Sequence, residues 1–167
     1  MQYTTHSPEE TKEVVQKFVR FLSSASQNSS PDIGRGNVFG FSGDLGSGKT
    51  TFAKVVAEIL GITEHVTSPT FVIEKKYPIS AEVAEKLNIS FKTLIHIDAY
   101  RLENARELEV LNFLDDCVEG DPLHTNLILI EWPERVMEIL PKSTQIIRFS
   151  FVDESVRTIE FPDMMTV

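Results

Sequence analysis

The sequence predicts an α/β protein: three layers, a mostly parallel sheet, and antiparallel strands at the C-terminal end. Three observations lead there. Apolar runs of strand length alternate with stretches whose apolar residues recur at helical spacing. The first such run, Asn37 to Ser42, passes straight into a glycine-rich segment, Gly43 to Thr50, and then into a helical stripe. The tail alternates around a polar turn at 153–155, with Ile147, Phe149 and Phe151 on one side and Val156, Thr158 and Glu160 on the other, the pattern of a hairpin.

Taken along the chain, Ser7-Pro8-Glu9-Glu10 reads as a helix start, with Ser7 as N-cap, Pro8 in the first turn and Glu10 closing a capping box. Val14, Val15, Phe18, Val19 and Leu22 give that helix one buried stripe to about residue 23. Ser23 to Gly36, rich in Ser, Asn, Gly and Pro, reads as a loop. After Lys49, the positions Phe52, Val55, Val56, Ile59 and Leu60 form a second stripe that Gly61 stops. Strands are expected over 70–77, 92–98 and 126–131, with helices over 80–87, 103–113 and 133–140; Leu108, Leu111 and Leu114 would face the core.

The 167 residues suit a single domain spanning 1–167, with 41% apolar and 25% charged residues, an ordinary globular balance. No apolar run approaches the roughly 20 residues that span a bilayer, and the polar, acidic start resembles no secretory signal. The one cysteine, Cys117, cannot form an internal disulfide and reads as a small core or loop residue; a cytoplasmic setting fits. A formal net charge of −9 with scattered basic residues argues against a protein that grips nucleic acid by itself. The short pair Lys75-Lys76 reads as a solvated strand end, and any link to RNA is expected to run through another protein.

The segment Gly43-Asp44-Leu45-Gly46-Ser47-Gly48-Lys49-Thr50 carries the firmest chemistry. It fits the Walker A pattern, G-x-x-x-x-G-K-T, at every fixed position, with a strand before and a helix after. Its glycines let successive backbone N–H groups turn toward phosphate oxygens, and the helix start adds its positive end. A nucleoside triphosphate with Mg²⁺ is the expected ligand: Lys49 reaches the β- and γ-phosphates and the Thr50 hydroxyl ligates Mg²⁺. A hydrolytic site also needs an acid at a neighbouring strand end. Glu131, after Leu127-Ile128-Leu129-Ile130, and Asp98, after Leu94-Ile95-His96-Ile97, both qualify.

Four motifs in order then resemble one family: Gly43 to Thr51, Ser68-Pro69-Thr70-Phe71, His96-Ile97-Asp98-Ala99-Tyr100-Arg101-Leu102, and Glu131-Trp132-Pro133-Glu134. The sequence is similar, over most of its length, to the TsaE (YjeE) family of ATPases in bacterial tRNA threonylcarbamoyladenosine biosynthesis. The resemblance implies that Asp44, Leu45, Gly46, Ser47, Gly48, Lys49, Thr50 and Thr51 bind the triphosphate, and that Thr50 and Glu131 hold Mg²⁺. Thr70 would lie in a switch loop that senses the γ-phosphate, Asp98 would position water or stand near the metal, and Trp132 would line the nucleotide pocket or simply fill core. Arg157, on the final hairpin, is a candidate neighbour of the adenine. The resemblance also implies a partner, a TsaB–TsaD-type complex that transfers threonylcarbamoyl to adenosine 37 of tRNAs reading ANN codons. ATP hydrolysis would reset that machine, and tRNA would be met only through the partners.

His96 reads first as a satisfied strand residue, and Tyr100 and Arg101 as braces of the Asp98 loop. His6, His65 and His124 lack metal-ligand spacing and read as surface residues. The 80–88 insert and the acidic stretch 115–124 depart from the family and would alter the partner-facing surface. Two other functions compete: a small-molecule P-loop kinase, which normally has a lid carrying several arginines, and a nucleotide-dependent binding module without significant turnover.

Overall fold

The computed structural model describes residues 1–27, 37–109, 111, 113–117 and 126–163. A seven-stranded sheet runs through the molecule. Its strands are β1 (Gln2–Thr5), β2 (Val38–Ser42), β3 (Glu74–Pro78), β4 (Thr93–Asp98), β5 (Asn126–Glu131), β6 (Gln145–Phe151) and β7 (Arg157–Glu160), in the order β1-β7-β6-β2-β5-β4-β3. The middle of the sheet, β6-β2-β5-β4, is parallel, and β3, β7 and β1 join antiparallel at the two sides. The expected antiparallel C-terminal hairpin is therefore present, with a further antiparallel strand at each edge. Because β2, β4 and β5 point the same way, Ser42, Asp98 and Glu131 end on one edge, where ligands of open α/β sheets lie.

Among the described residues, five helices cover the faces: α1 (Pro8–Gln27), α2 (Lys49–Ile59), α3 (Ala81–Leu87), α4 (Arg106–Glu109) and α5 (Phe113–Asp116). On one face, Phe18 and Leu22 of α1 and Phe52 and Val56 of α2 pack on Phe39, Phe41, Leu127, Leu129 and Ile147. On the other, Leu108 and Phe113 pack on Val38, Ile95, Ile97, Ile128 and Ile130. The strands β4 and β5 feed both clusters with alternate residues, which is why they read as continuous apolar runs. Buried aromatic rings knit the first cluster together, Phe52 lying 5.4 Å from both Phe41 and Phe149 and 5.6 Å from Phe18.

Several expected elements have different bounds. The first helix runs to Gln27, so 23–27 are helical rather than loop; the rest of that loop, 28–36, lies outside the described residues. Its cap forms as expected at Ser7, whose Oγ accepts from the Glu10 N–H at 3.2 Å, but the Glu10 carboxylate returns to the His6 N–H, at 2.7 Å. The strand expected from residue 70 starts only at Glu74, because 70–73 are taken by turns closed onto the Pro69 carbonyl. The helix expected over 103–113 is split into the short α4 and α5; Leu108 is buried, Leu111 packs at the cluster's margin, and the Leu114 side chain lies outside the described residues. Two 3₁₀ turns, Pro133–Arg135 and Met137–Ile139, replace the expected third helix. The strand β1 was not expected, since its polar residues become a strand only by pairing with β7. On β7 the buried residue is Ile159, and Phe151 at the end of β6 is exposed.

The insert 80–88 is the helix α3, capped by the Ser80 hydroxyl on the Val83 N–H at 3.2 Å. Its Val83, Ala84 and Leu87 pack against the first core cluster. Lys75 and Lys76 are not merely solvated: Lys75 donates to Thr67 Oγ1 at 2.9 Å, and Lys76 pairs with Asp116 at 2.6 Å. Cys117 is buried. His6 and His65 are exposed, as expected; His124 lies outside the described residues. No described helix is long and apolar enough to cross a membrane.

Candidate functional site

The glycine-rich loop leaves β2 at Ser42 and enters α2 at Lys49, so strand and helix hold it from both ends. Gly43 adopts φ +143, and a Cβ there would stand 2.1 Å from the Phe149 carbonyl oxygen of β6; only glycine fits. A second close approach lies beneath it. Gly40 leaves room for Pro133, whose ring would be 2.8 Å from a Cβ at that position. This lets the segment after β5 fold over the strand and bring Trp132 to the loop.

Lys49 is buried, and its Nζ donates to the carbonyl oxygens of Gly43, at 2.6 Å, and Asp44, at 2.8 Å. The ring of Trp132 faces the same ammonium, with Nζ 4.2 Å from its centroid. Trp132 is half-buried at a positive φ of 62°, packs 5.0 Å from the Tyr100 ring and against the margin of the second core cluster, and so both flanks the loop and covers core. Burial lowers the pKa of Lys49, opposed by the negative charges of Glu131, Glu134, Asp98 and Asp44.

The two expected acids stand side by side. Asp98 and Glu131 are register partners at the ends of β4 and β5, and both are buried. Glu131 Oε2 accepts the Thr50 hydroxyl at 2.8 Å, joining the strand end to the first turn of α2. Its other oxygen, Oε1, lies 2.9 Å from Nε2 of the fully buried His96. Asp98 Oδ2 accepts hydrogen bonds from Ser68, at 2.7 Å, and from Thr70, while Oδ1 accepts the Tyr100 N–H at 3.0 Å. The segment 68–73 is thereby tied to the acid at the end of β4.

Arg157 lies beside the outer side of the loop, its Nε donating to the Gly46 carbonyl at 3.1 Å. Arg101 stacks on the exposed ring of Phe71, its guanidinium carbon 4.2 Å from the centroid. The structure thus gathers Lys49, Thr50, Asp98, Glu131, Trp132 and Thr70 at one sheet edge and puts Arg157 on the loop's backbone. Sequence reasoning gave no role to Ser68, and it took His96 for a strand residue. The signal for His96 was present: a polar side chain inside the apolar run 94–97 must find a partner once buried.

The chemistry open to this arrangement is narrow. A loop of backbone N–H groups at a helix start, with a lysine in it, can donate hydrogen bonds to phosphate oxygens. Thr50 Oγ1 and Glu131 Oε2 are hard oxygen donors, the kind Mg²⁺ takes when phosphate and water complete its shell. Among the described residues, no group of three or more His, Cys, Asp or Glu side chains could hold a metal ion by itself.

Fold and site define a class: an α/β protein with a Walker A-pattern loop at the head of its central strand and two carboxylates on the strands beside it. The comparisons then narrow it. The family model for the threonylcarbamoyl adenosine biosynthesis protein TsaE matches residues 5–159, and the chain belongs to that family. It is 35% identical over 161 residues to the tRNA threonylcarbamoyladenosine biosynthesis protein TsaE of Bacillus subtilis, covering 96% of this chain and 84% of that protein. The protein of the same name from Borreliella burgdorferi is 39% identical over 107 residues, 64% of this chain and 67% of the relative. The crystal structure of Bacillus subtilis YdiB superimposes with a TM-score of 0.58 at 30% identity, covering 96% of this chain and 83% of that one.

Proposed function

We propose that this chain is a Mg²⁺-dependent ATPase of tRNA threonylcarbamoyladenosine biosynthesis, working as a single 1–167 unit in the cytoplasm. It acts on a TsaB–TsaD-type complex that modifies adenosine 37 of tRNAs reading ANN codons, and it meets tRNA only through those partners. The observation that carries the proposal is the 2.8 Å contact between Thr50 Oγ1 and Glu131 Oε2, at the mouth of a loop whose lysine is buried beside it. Family membership supplies the pathway; that contact supplies the chemistry.

In this scheme the backbone of Asp44 to Thr51 (Asp44, Leu45, Gly46, Ser47, Gly48, Lys49, Thr50, Thr51) cradles the β- and γ-phosphates. Lys49 swings its ammonium from two loop carbonyls onto phosphate oxygens. Thr50 and Glu131 hold Mg²⁺, which neutralises charge on the phosphates. Asp98 and Thr70 orient the attacking water. Its oxygen bonds to the γ-phosphorus, the bond to the bridging oxygen breaks, ADP leaves with that electron pair, and the water's two protons stay on the oxygens of the released phosphate. Trp132 walls the pocket beside Glu131, and Arg157 fixes the loop from outside.

Turnover by the isolated chain should be slow. Among the described residues, the arginines near the site are held by other groups, Arg101 on Phe71 and Arg157 on the Gly46 carbonyl, and an arginine that stabilises the transferring phosphoryl group accelerates such reactions about 10³- to 10⁵-fold. Phosphate release measured alone and with TsaB and TsaD decides the matter. Stimulation by the partners supports the proposal. Phosphoryl transfer to a metabolite would instead establish a kinase, and ATP binding without turnover under any condition a binding module.

A further inference from the structure

His96 touches Glu131, yet the scheme above gives it nothing to do. It sits in β4 between Ile95 and Ile97, fully buried. Its Nε2 lies 2.9 Å from Glu131 Oε1, and its Nδ1 is buried with no hydrogen-bond partner among the described residues. An ionised carboxylate only accepts, so Nε2 is the nitrogen that donates. As packing alone, an imidazole is a poor choice here, since a buried unsatisfied polar atom is costly and a leucine would avoid it. What the ring does supply is one directed donor to one oxygen of one carboxylate.

That carboxylate is the one whose other oxygen meets Thr50, at 2.8 Å. The last torsion of a glutamate is broad, so a strand-end carboxylate with a single tether can rotate. With Oε1 tied from β4 and Oε2 meeting α2, the plane of the Glu131 carboxylate is set from two sides. Release of the β4 tether frees Oε2 to leave the loop's mouth. The neighbouring carboxylate of Asp98, its register partner, would favour such a departure by repulsion.

We propose that His96 is a positioning residue: its Nε2–H holds Glu131 Oε1 so that Oε2 stays aimed at Thr50 and at the divalent cation bound with the phosphates. The inference rests on the Mg²⁺–ATP scheme of the preceding subsection. Partners that hydrogen-bond a ligating group from behind typically change metal affinity about 10- to 100-fold when removed.

The test is a Mg²⁺ titration of ATP binding by calorimetry on the full chain, comparing wild type, His96→Gln and His96→Asn. A glutamine amide nitrogen reaches the Nε2 position, whereas that of asparagine stops near Nδ1. His96→Asn is expected to raise the Mg²⁺ concentration at half-saturation about 10- to 100-fold, and His96→Gln to restore it toward wild type. ATP binding in excess chelator should be the same in all three. Equal Mg²⁺ titrations for wild type and both variants overturn the inference while leaving the ATPase scheme intact. A wild type whose ATP binding ignores Mg²⁺ overturns the scheme itself. Should both variants fail to fold, nitrogen NMR of wild-type protein with Mg²⁺ and ADP decides. A hydrogen-bonded, protonated Nε2 supports the tether, and a ring protonated only on Nδ1 overturns it.

Discussion

Replacing Lys49 by methionine separates what the lysine does for the ligand from what it does for the fold. In the structure its Nζ makes two short hydrogen bonds, to the carbonyls of Gly43 and Asp44 at 2.6 and 2.8 Å, and lies above the Trp132 ring. Methionine keeps the length and the apolar stem and removes the charge. Two charge-assisted hydrogen bonds to phosphate are worth about 1.5–3 kcal/mol each, or roughly 3–6 kcal/mol together. That corresponds to about a 10²- to 10⁴-fold weakening of ATP binding. The lower end is the better expectation, because the wild-type ammonium must first give up its two carbonyl partners. Calorimetric titration with ATP at saturating Mg²⁺ measures the loss, and urea unfolding of the same variant checks the fold. Stability should change by no more than about 1–2 kcal/mol, since the two orphaned carbonyls lie near the loop surface. A folded Lys49→Met protein that binds ATP within tenfold of wild type would refute the role given to this residue.

Gly43→Ala should cost more than about 3 kcal/mol in urea unfolding, or displace the loop and abolish ATP binding, because its Cβ would sit 2.1 Å from the Phe149 carbonyl at a φ of +143; an unchanged midpoint would contradict the geometry. Phe52→Ala, which removes a fully buried ring packed on Phe18, Phe41 and Phe149, should lose about 3–5 kcal/mol by the same measurement. Asp98→Asn should lower partner-stimulated phosphate release at least tenfold while ATP affinity stays near wild type, the signature of a group that acts in the transition state; undiminished release removes Asp98 from the mechanism. The pH dependence has a definite sign. The folded pKa of Lys49 lies below its ordinary 10.5, so the cost of burying its charge is fully present below the folded value and is relieved as pH rises toward 10.5. Tyr77 works the other way: burial raises its pKa above 10.0, so its contribution is lost in alkaline solution. In urea unfolding, the stability of wild type relative to Lys49→Met should therefore increase with pH in the alkaline range, a difference from which Tyr77 cancels.

Much of this site is written in the chain because its chemistry is local. The Walker A loop is contiguous, its strand and helix flank it directly, and the apolar runs ending in Asp98 and Glu131 are the mark of parallel strands buried on both faces. Those features predicted the fold class and the place of the loop and the two acids at one sheet edge. Tertiary structure decided the pairings. Glu131 meets Thr50 across 81 residues and His96 across 35, distances over which sequence spacing carries no geometric information. The same holds for the strand β1, whose polar residues become a strand only by pairing with β7. It holds again for 70–73, where turns onto Pro69 and the hydroxyls tied to Asp98 override a β-branched pattern. The sequence alone determined that a glycine-rich loop of Walker A pattern lies beside two strand-end acids, since backbone conformation and burial follow from neighbouring residues. Which side chain holds each acid, and at what angle, was decided only when β4, β5 and α2 came together.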